Sequence, residues 1–243
     1  MGSFLQRASK LVRLLSRAQY RRGLRHRMAA AIEHTAPMRA LEFGTLIDVG
    51  ANIGQFSLLV RNLHPDALIY AFEPLPFAAV RYSKLFAQDS KVHLYCIAAG
   101  EVATSAQIHV SGRPDSSSLL SISDTQTKTF PGTGEVTQLT VEVDRPDNVL
   151  KDVPLVEPVL VKLDVQGYEL EALRGMMKLL PRVKYVYCEV SFKELYIGQP
   201  LAHEVISWLA EHNFKISGVF NTVDTTDGAA VQADILFTNC VLS

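Results

Sequence analysis

The chain has 243 residues, 48% of them apolar, with 24 basic and 25 acidic side chains and a formal net charge of −1. That size and composition suffice for one sizeable core, and the near-zero charge leaves no electrostatic footprint for a nucleic-acid partner. No apolar run is long enough to span a bilayer, and no unbroken apolar segment follows the N-terminal charges as a secretory signal requires.

The charge is uneven. Residues 1–39 carry nine Lys/Arg and one acid, Glu33, which leaves fifteen basic and twenty-four acidic residues in the remainder. Residues 1–43 read as a basic amphipathic helical arm, with Leu5, Ala8, Val12 and Leu15 on one face and Arg7, Lys10, Arg13 and Arg17 on the other. Such an arm packs across the body, or lies on an acidic membrane surface through residues 1–30. Its Arg-rich, acid-poor composition also fits an organellar transit peptide. Cys96, Cys188 and Cys240 are odd in number, match no zinc spacing and fall in strand-like runs. Buried thiols in a reducing, cytoplasmic compartment are expected.

From Thr45 short β-rich runs alternate with helical ones. Strands are predicted at Thr45–Val49, Ala67–Phe72 and Val92–Ile97, with helices at Gln55–Leu63 and Phe77–Gln88 between them. Residues 100–158 are less regular. They hold alternating runs at Ala106–Val110 and Val136–Val143 and end among Pro146, Pro154 and Pro158. The alternation resumes with a strand at Val159–Val165, a helix at Glu169–Leu180 aligning Leu170, Leu173, Met177 and Leu180, and a strand at Lys184–Val190. A helix at Leu201–His212 and closing strands at Phe214–Phe220 and Ile235–Thr238 follow. Helical crossovers imply an α/β fold with a mostly parallel sheet covered on both faces. In such sheets ligands bind beyond the carboxyl ends of the strands.

The first strand ends in Asp48-Val49-Gly50-Ala51-Asn52-Ile53-Gly54. Glycine permits a tight turn and close approach of backbone to ligand, and the following helix offers free N–H groups to an anion. The Gly-x-Gly-x-x-Gly of dinucleotide sites is missing. The leading acid repels a pyrophosphate but accepts hydrogen bonds from an ammonium. The second strand ends at Phe72-Glu73-Pro74, and an acid there can accept both hydroxyls of a ribose. Either acid alone is equally well an exposed loop residue or a helix cap. The pair at successive strand ends calls for one ligand with an amino-acid end and a ribose.

In order and spacing the chain resembles the FkbM family of S-adenosylmethionine-dependent methyltransferases over roughly residues 44–220. The resemblance rests on IDVGANIGQFS (47–57), AFEP (71–74), AAG (98–100), SSSLL (116–120), VKLDVQGYELEALRG (161–175) and CEVSF (188–192). It implies a class I, Rossmann-like domain over residues 44–243. That domain has a seven-stranded, mostly parallel sheet, helices on both faces and an antiparallel last strand. It further implies methyl transfer to oxygen, often on a sugar or a polyketide-derived hydroxyl. Carried onto this chain, Asp48, Gly50, Asn52 and Gly54, with Gln55 and Phe56 beside them, line the methionine end of the cofactor. Glu73 and Pro74 lie at its ribose, and Ala98 and Ala99 near its adenine. Gln166 stands where a glutamate is frequent, and Val143–Val149 (VDRPDNV) departs from the usual sequence at the acceptor rim.

Methyl transfer to a sugar-type hydroxyl needs the reactants held in line and a base for the departing proton. Asp164 and Glu189, at the ends of adjacent strands, are the candidate catalytic acids. Asp164 is alternatively a ligand of the cofactor ammonium or a helix cap, and the pair could hold a divalent ion through oxygen ligands, though no motif calls for a metal. Ser117, Ser118 and Tyr168 are candidate contacts for a small-molecule or glycan acceptor. Glu169 suits the first turn of a helix without any further role. His93, His109 and His203 have no partner at a recognisable spacing. Two rival functions fit less of the pattern: an NAD-dependent oxidoreductase, and a catalytically silent cofactor-binding or scaffolding protein. The sequence does not address oligomeric state.

Overall fold

The computed structural model of the chain describes residues 18–242. The first half of the predicted arm, with Leu5, Arg7, Lys10 and Arg13, lies outside the described residues. Helices α1 (Ala18–Arg25) and α2 (Thr35–Ala40) lead into β1 (Thr45–Val49), α3 (Gln55–Leu63), β2 (Leu68–Phe72), α4 (Pro76–Phe86) and β3 (Val92–Tyr95). The irregular stretch holds β4 (Ala98–Ala99), β5 (Thr104–Ser111), α5 (Asp124–Thr129), β6 (Glu135–Asp144) and α6 (Pro146–Val149). After it come β7 (Val159–Leu163), α7 (Glu169–Arg174), β8 (Val183–Ser191), α8 (Ala202–Glu211), β9 (Phe214–Asp224) and β10 (Ala230–Asn239).

Seven strands form one sheet in the order β3-β2-β1-β7-β8-β10-β9, and β4-β6-β5 form a second. β10 runs antiparallel to both β8 and β9, whereas the pairings from β3 to β8 are parallel. This is the expected Rossmann-like architecture. The chain reverses its direction of travel across the sheet between β1 and β7, and such a switch point opens a ligand crevice. The two expected runs of the irregular stretch pair antiparallel as β5 and β6.

Strand alternation sends Ile47, Val49, Val161 and Leu163 into a core with Leu170, Leu173, Val205 and Leu209 of α7 and α8. Leu46, Ile69, Leu160 and Tyr187 face the other way, against Phe56, Leu59, Tyr82 and Leu85 of α3 and α4. Tyr20, Met28 and Met38 belong to this second cluster. From Tyr20 onward the predicted arm therefore packs into the body, and each such side chain contributes about 1.5–3 kcal/mol of burial. Gly23 permits the close approach, since a Cβ there would fall 2.5 Å from Leu58 Cδ2.

Three expectations need correcting. The helix predicted for Glu169–Leu180 ends at Arg174. A Cβ at Gly175 would stand 2.2 Å from the Gly100 carbonyl oxygen, and the buried Asp147 carboxylate accepts the N–H groups of Lys178 and Leu179. The shifted register buries Met176 and leaves Met177 43% exposed. Of the cysteines, Cys188 is buried but Cys96 and Cys240 are exposed, because each falls just past the end of its strand. Finally, Arg145 of the VDRPDNV segment donates to the carbonyls of Glu101 (2.6 Å) and Arg174 (3.0 Å). It ties α6 to α7 and is not among the residues bordering the cavity described next.

Candidate cofactor and acceptor site

Beyond the carboxyl ends of β1, β2 and β7 lies a cavity with about 1120 Å³ of empty space, part of it open to solvent. The turn after β1, Glu73–Leu75, Ala98–Ala99, Ser117–Leu119 and Asp164–Gln166 border it, and Glu33 and His34 close its N-terminal side.

The turn after β1 is built by left-handed residues: Gly50 at φ +77°, Asn52 at +47° and Gly54 at +97°. At Gly50 a Cβ would meet the Asp164 carbonyl oxygen at 1.9 Å, so only glycine lets the ends of β1 and β7 approach. Gly50, Asn52, Gln55 and Phe56 border the cavity. Gly54 does not; a Cβ there would lie 2.9 Å from the Phe86 ring, so packing against α4 accounts for this glycine.

Asp48 is also displaced from its expected contact. It shares the strand face of Leu46, is fully buried, and is not among the residues bordering the cavity. Its Oδ2 accepts the Ser57 hydroxyl at 2.6 Å, and Ser57 Oγ in turn accepts the Tyr82 hydroxyl at 2.8 Å. Its Oδ1 has no hydrogen-bond partner among the described residues and lies 3.7 Å from Lys162 Nζ. Burial raises the Asp48 pKa, opposed by the Lys162 charge and the Ser57 hydrogen bond.

Glu73 does face the cavity. Its Oε2 accepts the Asn52 N–H and its Oε1 the Leu75 N–H, both at 2.8 Å. Burial pushes its pKa up to about 7, against the pull of those two hydrogen bonds. Each oxygen keeps acceptor capacity for a ligand hydroxyl. Pro74, Ala98 and Ala99 also border the cavity beside it.

Asp164 also borders the cavity and leaves the end of β7 with 38% of its side chain exposed. Lys162 Nζ lies 3.2 Å from its Oδ2 and donates to the Gly50 carbonyl at 3.1 Å. Burial works against the Lys162 charge, but Asp164 and Asp48 together raise its pKa above the ordinary value. Gln166, at φ +55°, donates from Nε2 to Asp164 Oδ1 and to Glu189 Oε2, each at 2.8 Å, while its Oε1 accepts the Tyr196 hydroxyl at 2.6 Å. Glu189 therefore sits behind Gln166 and does not border the cavity. Burial and the neighbouring Asp164, Asp234 and Glu169 raise its pKa well above the usual range.

Ser117, Ser118 and Tyr168 all border the cavity, yet the serine hydroxyls are already engaged. Ser118 Oγ donates to the Gln166 carbonyl at 2.7 Å and accepts the Leu120 N–H at 3.0 Å, and Ser117 Oγ accepts the Ser111 N–H at 3.1 Å. Glu169 exceeds the plain first-turn reading: it is buried, and its Oε1 accepts the N–H groups of Val165 and Gly167, which fixes the loop that carries Gln166.

Three cavity residues escaped sequence reasoning: Lys162, Gln166 as a donor between two acids, and His34. A lysine inside an otherwise apolar strand was a usable signal for the first. Among the described residues no cluster of three or more His, Cys, Asp or Glu is placed to hold a metal, and no helix is long and apolar enough to cross a membrane.

A switched parallel sheet with one antiparallel strand, a glycine turn after β1 and a buried acid after β2 define a class I S-adenosylmethionine-dependent methyltransferase. Residues 48–216 match the Methyltransferase FkbM domain, and the chain belongs to that family. It is similar to the 2-O-methyltransferase NoeI of Sinorhizobium fredii, 25% identical over 213 residues that cover 81% of this chain and 80% of the relative. The 31-O-demethyl-FK506 methyltransferase FkbM of Streptomyces tacrolimicus is 26% identical over 195 residues, 70% of this chain and 72% of its own. The hexuronic acid methyltransferase AglP of Haloferax volcanii is 27% identical over 151 residues, 62% of this chain and 57% of its own.

Proposed function

We propose that the chain O-methylates a hydroxyl of a sugar, glycolipid or secondary metabolite. One observation carries this reading: beyond Glu73 the cavity is bordered by further hydrogen-bonding side chains, Asp164, Gln166, Tyr168, Asp115 and His34, which suit a polyhydroxylated acceptor better than an apolar one. The relatives named for 2-O- and hexuronic acid methylation support the same class.

The residues present fit S-adenosylmethionine. The Glu73 oxygens have acceptor capacity for its ribose hydroxyls. Ala98, Ala99 and Pro74 provide a small, apolar wall for adenine. The Gly50–Asn52 turn and the N-terminus of α3, with Gln55 and Phe56, suit its carboxylate. Asp164, 38% exposed, accepts from its ammonium or from the acceptor. Asp48 acts at one remove through Lys162, Gly54 shapes the turn, and Glu189 acts at one remove through Gln166. Ser117, Ser118 and Tyr168 wall the acceptor side. When bound, this cofactor supplies a sulfonium methyl group, which passes to oxygen as the sulfur–carbon bond breaks and sulfur keeps the electron pair.

Incubation with a tritiated-methyl donor and methyl glycosides of hexoses and hexuronic acids tests the reading. Base-stable labelled ethers are the expected product. Base-labile esters alone, or no transfer to any of these hydroxyls, would count against it. The basic arm adds a proposal of its own, peripheral contact with acidic lipids. Full chain and a variant with Arg7, Lys10, Arg13 and Arg17 changed to Gln can be sedimented with phosphatidylglycerol vesicles; equal partitioning removes the idea.

A further inference from the structure

Both residues of the closest His–Asp pair at the cavity lie outside the segment that matches the family. His34 ends a single 3-10 turn, Ile32–His34, ahead of that segment, and Asp234 belongs to β10 beyond it. His34 borders the cavity with 19% of its side chain exposed. Its Nδ1 lies 3.3 Å from Asp234 Oδ2 and 3.0 Å from the Tyr187 hydroxyl oxygen. The Tyr187 hydroxyl donates to the same Asp234 oxygen at 3.1 Å, and Asn221 Nδ2 donates to it at 2.7 Å while standing 3.1 Å from His34 Nδ1. The ring is held edge-on between Phe56 and Tyr187, at centroid distances of 5.4 and 5.6 Å.

The Asp234 carboxylate favours one ring tautomer, since the Asn221 amide, which also stands near Nδ1, gives its hydrogen to the nearer Asp234 oxygen. An ionised carboxylate only accepts hydrogen bonds, so an imidazole nitrogen beside it carries the hydrogen. The Nδ1 hydrogen goes to Asp234 directly, or to the Tyr187 oxygen whose own hydrogen goes to Asp234. The electrostatics agree: burial pushes the Asp234 pKa up, but His34, Asn221 and Tyr187 together hold it below the usual carboxylate value. Burial and the neighbouring Asp234 raise the Tyr187 pKa, so that hydroxyl stays a donor. The lone pair of His34 is then on Nε2, which has no protein hydrogen-bond partner among the described residues. Asp164 is differently disposed, since one of its oxygens faces the Lys162 ammonium and the other the Gln166 amide.

Resting on the methyl-transfer reading above, we propose that His34 is the catalytic base for the acceptor hydroxyl and that Asp234 is its positioning residue. The hydroxyl proton passes to Nε2 as the new oxygen–carbon bond forms, Asp234 offsets the charge of the resulting imidazolium, and the proton leaves to solvent after product departs. This divides the labour: Asp164 binds, and His34 accepts the proton. A base so placed contributes about a hundredfold to ten-thousandfold in rate.

Two readouts on the full chain test this. Long-range proton–nitrogen spectra of isotope-labelled histidine, recorded with S-adenosylhomocysteine in mildly alkaline buffer, should show His34 with hydrogen on Nδ1. Asp234→Asn should shift the ring toward the Nε2–H form. A wild-type ring already in the Nε2–H form overturns the proposal whether or not an acceptor is turned over. Methyl transfer to methyl glucuronide should fall at least about a hundredfold in His34→Gln, with S-adenosylhomocysteine affinity within about twofold of wild type. Equal rates in wild type and His34→Gln overturn the proposal, whereas no transfer by wild type with intact cofactor binding counts against the methyl-transfer reading itself.

Discussion

Asp164 and Glu189 share a single donor: Gln166 Nε2 stands 2.8 Å from Asp164 Oδ1 and 2.8 Å from Glu189 Oε2. One neutral amide thereby separates two carboxylates that would otherwise face each other. Gln166→Glu removes both hydrogens and adds a third acid. We expect a loss of about 2–4 kcal/mol in urea unfolding at neutral pH, shrinking in mild acid as the cluster takes up protons. A glutamate variant as stable as wild type at neutral pH would refute this role.

Among the described residues, Lys162 is the cation that faces the buried Asp48, at 3.7 Å with the two side chains 8% and 0% exposed. Lys162→Met strands that carboxylate, at an expected cost of about 3–5 kcal/mol. Adding Asp48→Asn should recover most of the loss, because the uncompensated charge disappears with it. Urea midpoints of the two single variants and the double variant decide; strictly additive losses would contradict the pairing.

Glu169 predicts a pH dependence of stability. Burial raises its pKa from 4.5 to about 7, against the pull of the Gly167 and Val165 N–H groups. Between those values the native state keeps a proton that the unfolded chain has lost, so the native state binds more protons and stability falls as pH rises. The cost is complete above the folded value and amounts to up to about 3 kcal/mol. Glu169→Gln keeps a carbonyl oxygen for both N–H groups and abolishes the titration. The variant should be more stable than wild type near about pH 8 and indistinguishable near about pH 4. Parallel stability curves would rule this out.

The parts of the site legible in the sequence were local ones. The Gly50–Gly54 turn and Glu73 announce themselves because a strand end, a glycine and an acid are neighbours in the chain. Asp48 was assigned to the site from the same stretch, but its strand parity with Leu46 sends it under the floor, where Ser57 and Lys162 hold it. Parity was available from the sequence; the contact with Lys162 depends on β1 pairing with β7. The end of α7 was hidden because Gly100 and Asp147, far along the chain, stop the helix at Gly175. His34 was least legible. Its partners Tyr187, Asn221 and Asp234 sit on β8, β9 and β10, and no spacing rule links them to the turn before α2.

Calorimetric titration with S-adenosylhomocysteine, beside a matched titration with NAD, tests the central claim most directly. The account predicts one S-adenosylhomocysteine site per chain and no NAD binding. On this account ribose hydroxyls donate to ionised Glu73; burial pushes its pKa up to about 7, so affinity should fall as pH drops below that value, by up to about tenfold per pH unit. Glu73→Gln should bind at least about tenfold more weakly at neutral pH and lose that dependence. Heat from NAD with none from S-adenosylhomocysteine, or a Glu73→Gln variant that binds as wild type does at every pH, would contradict it.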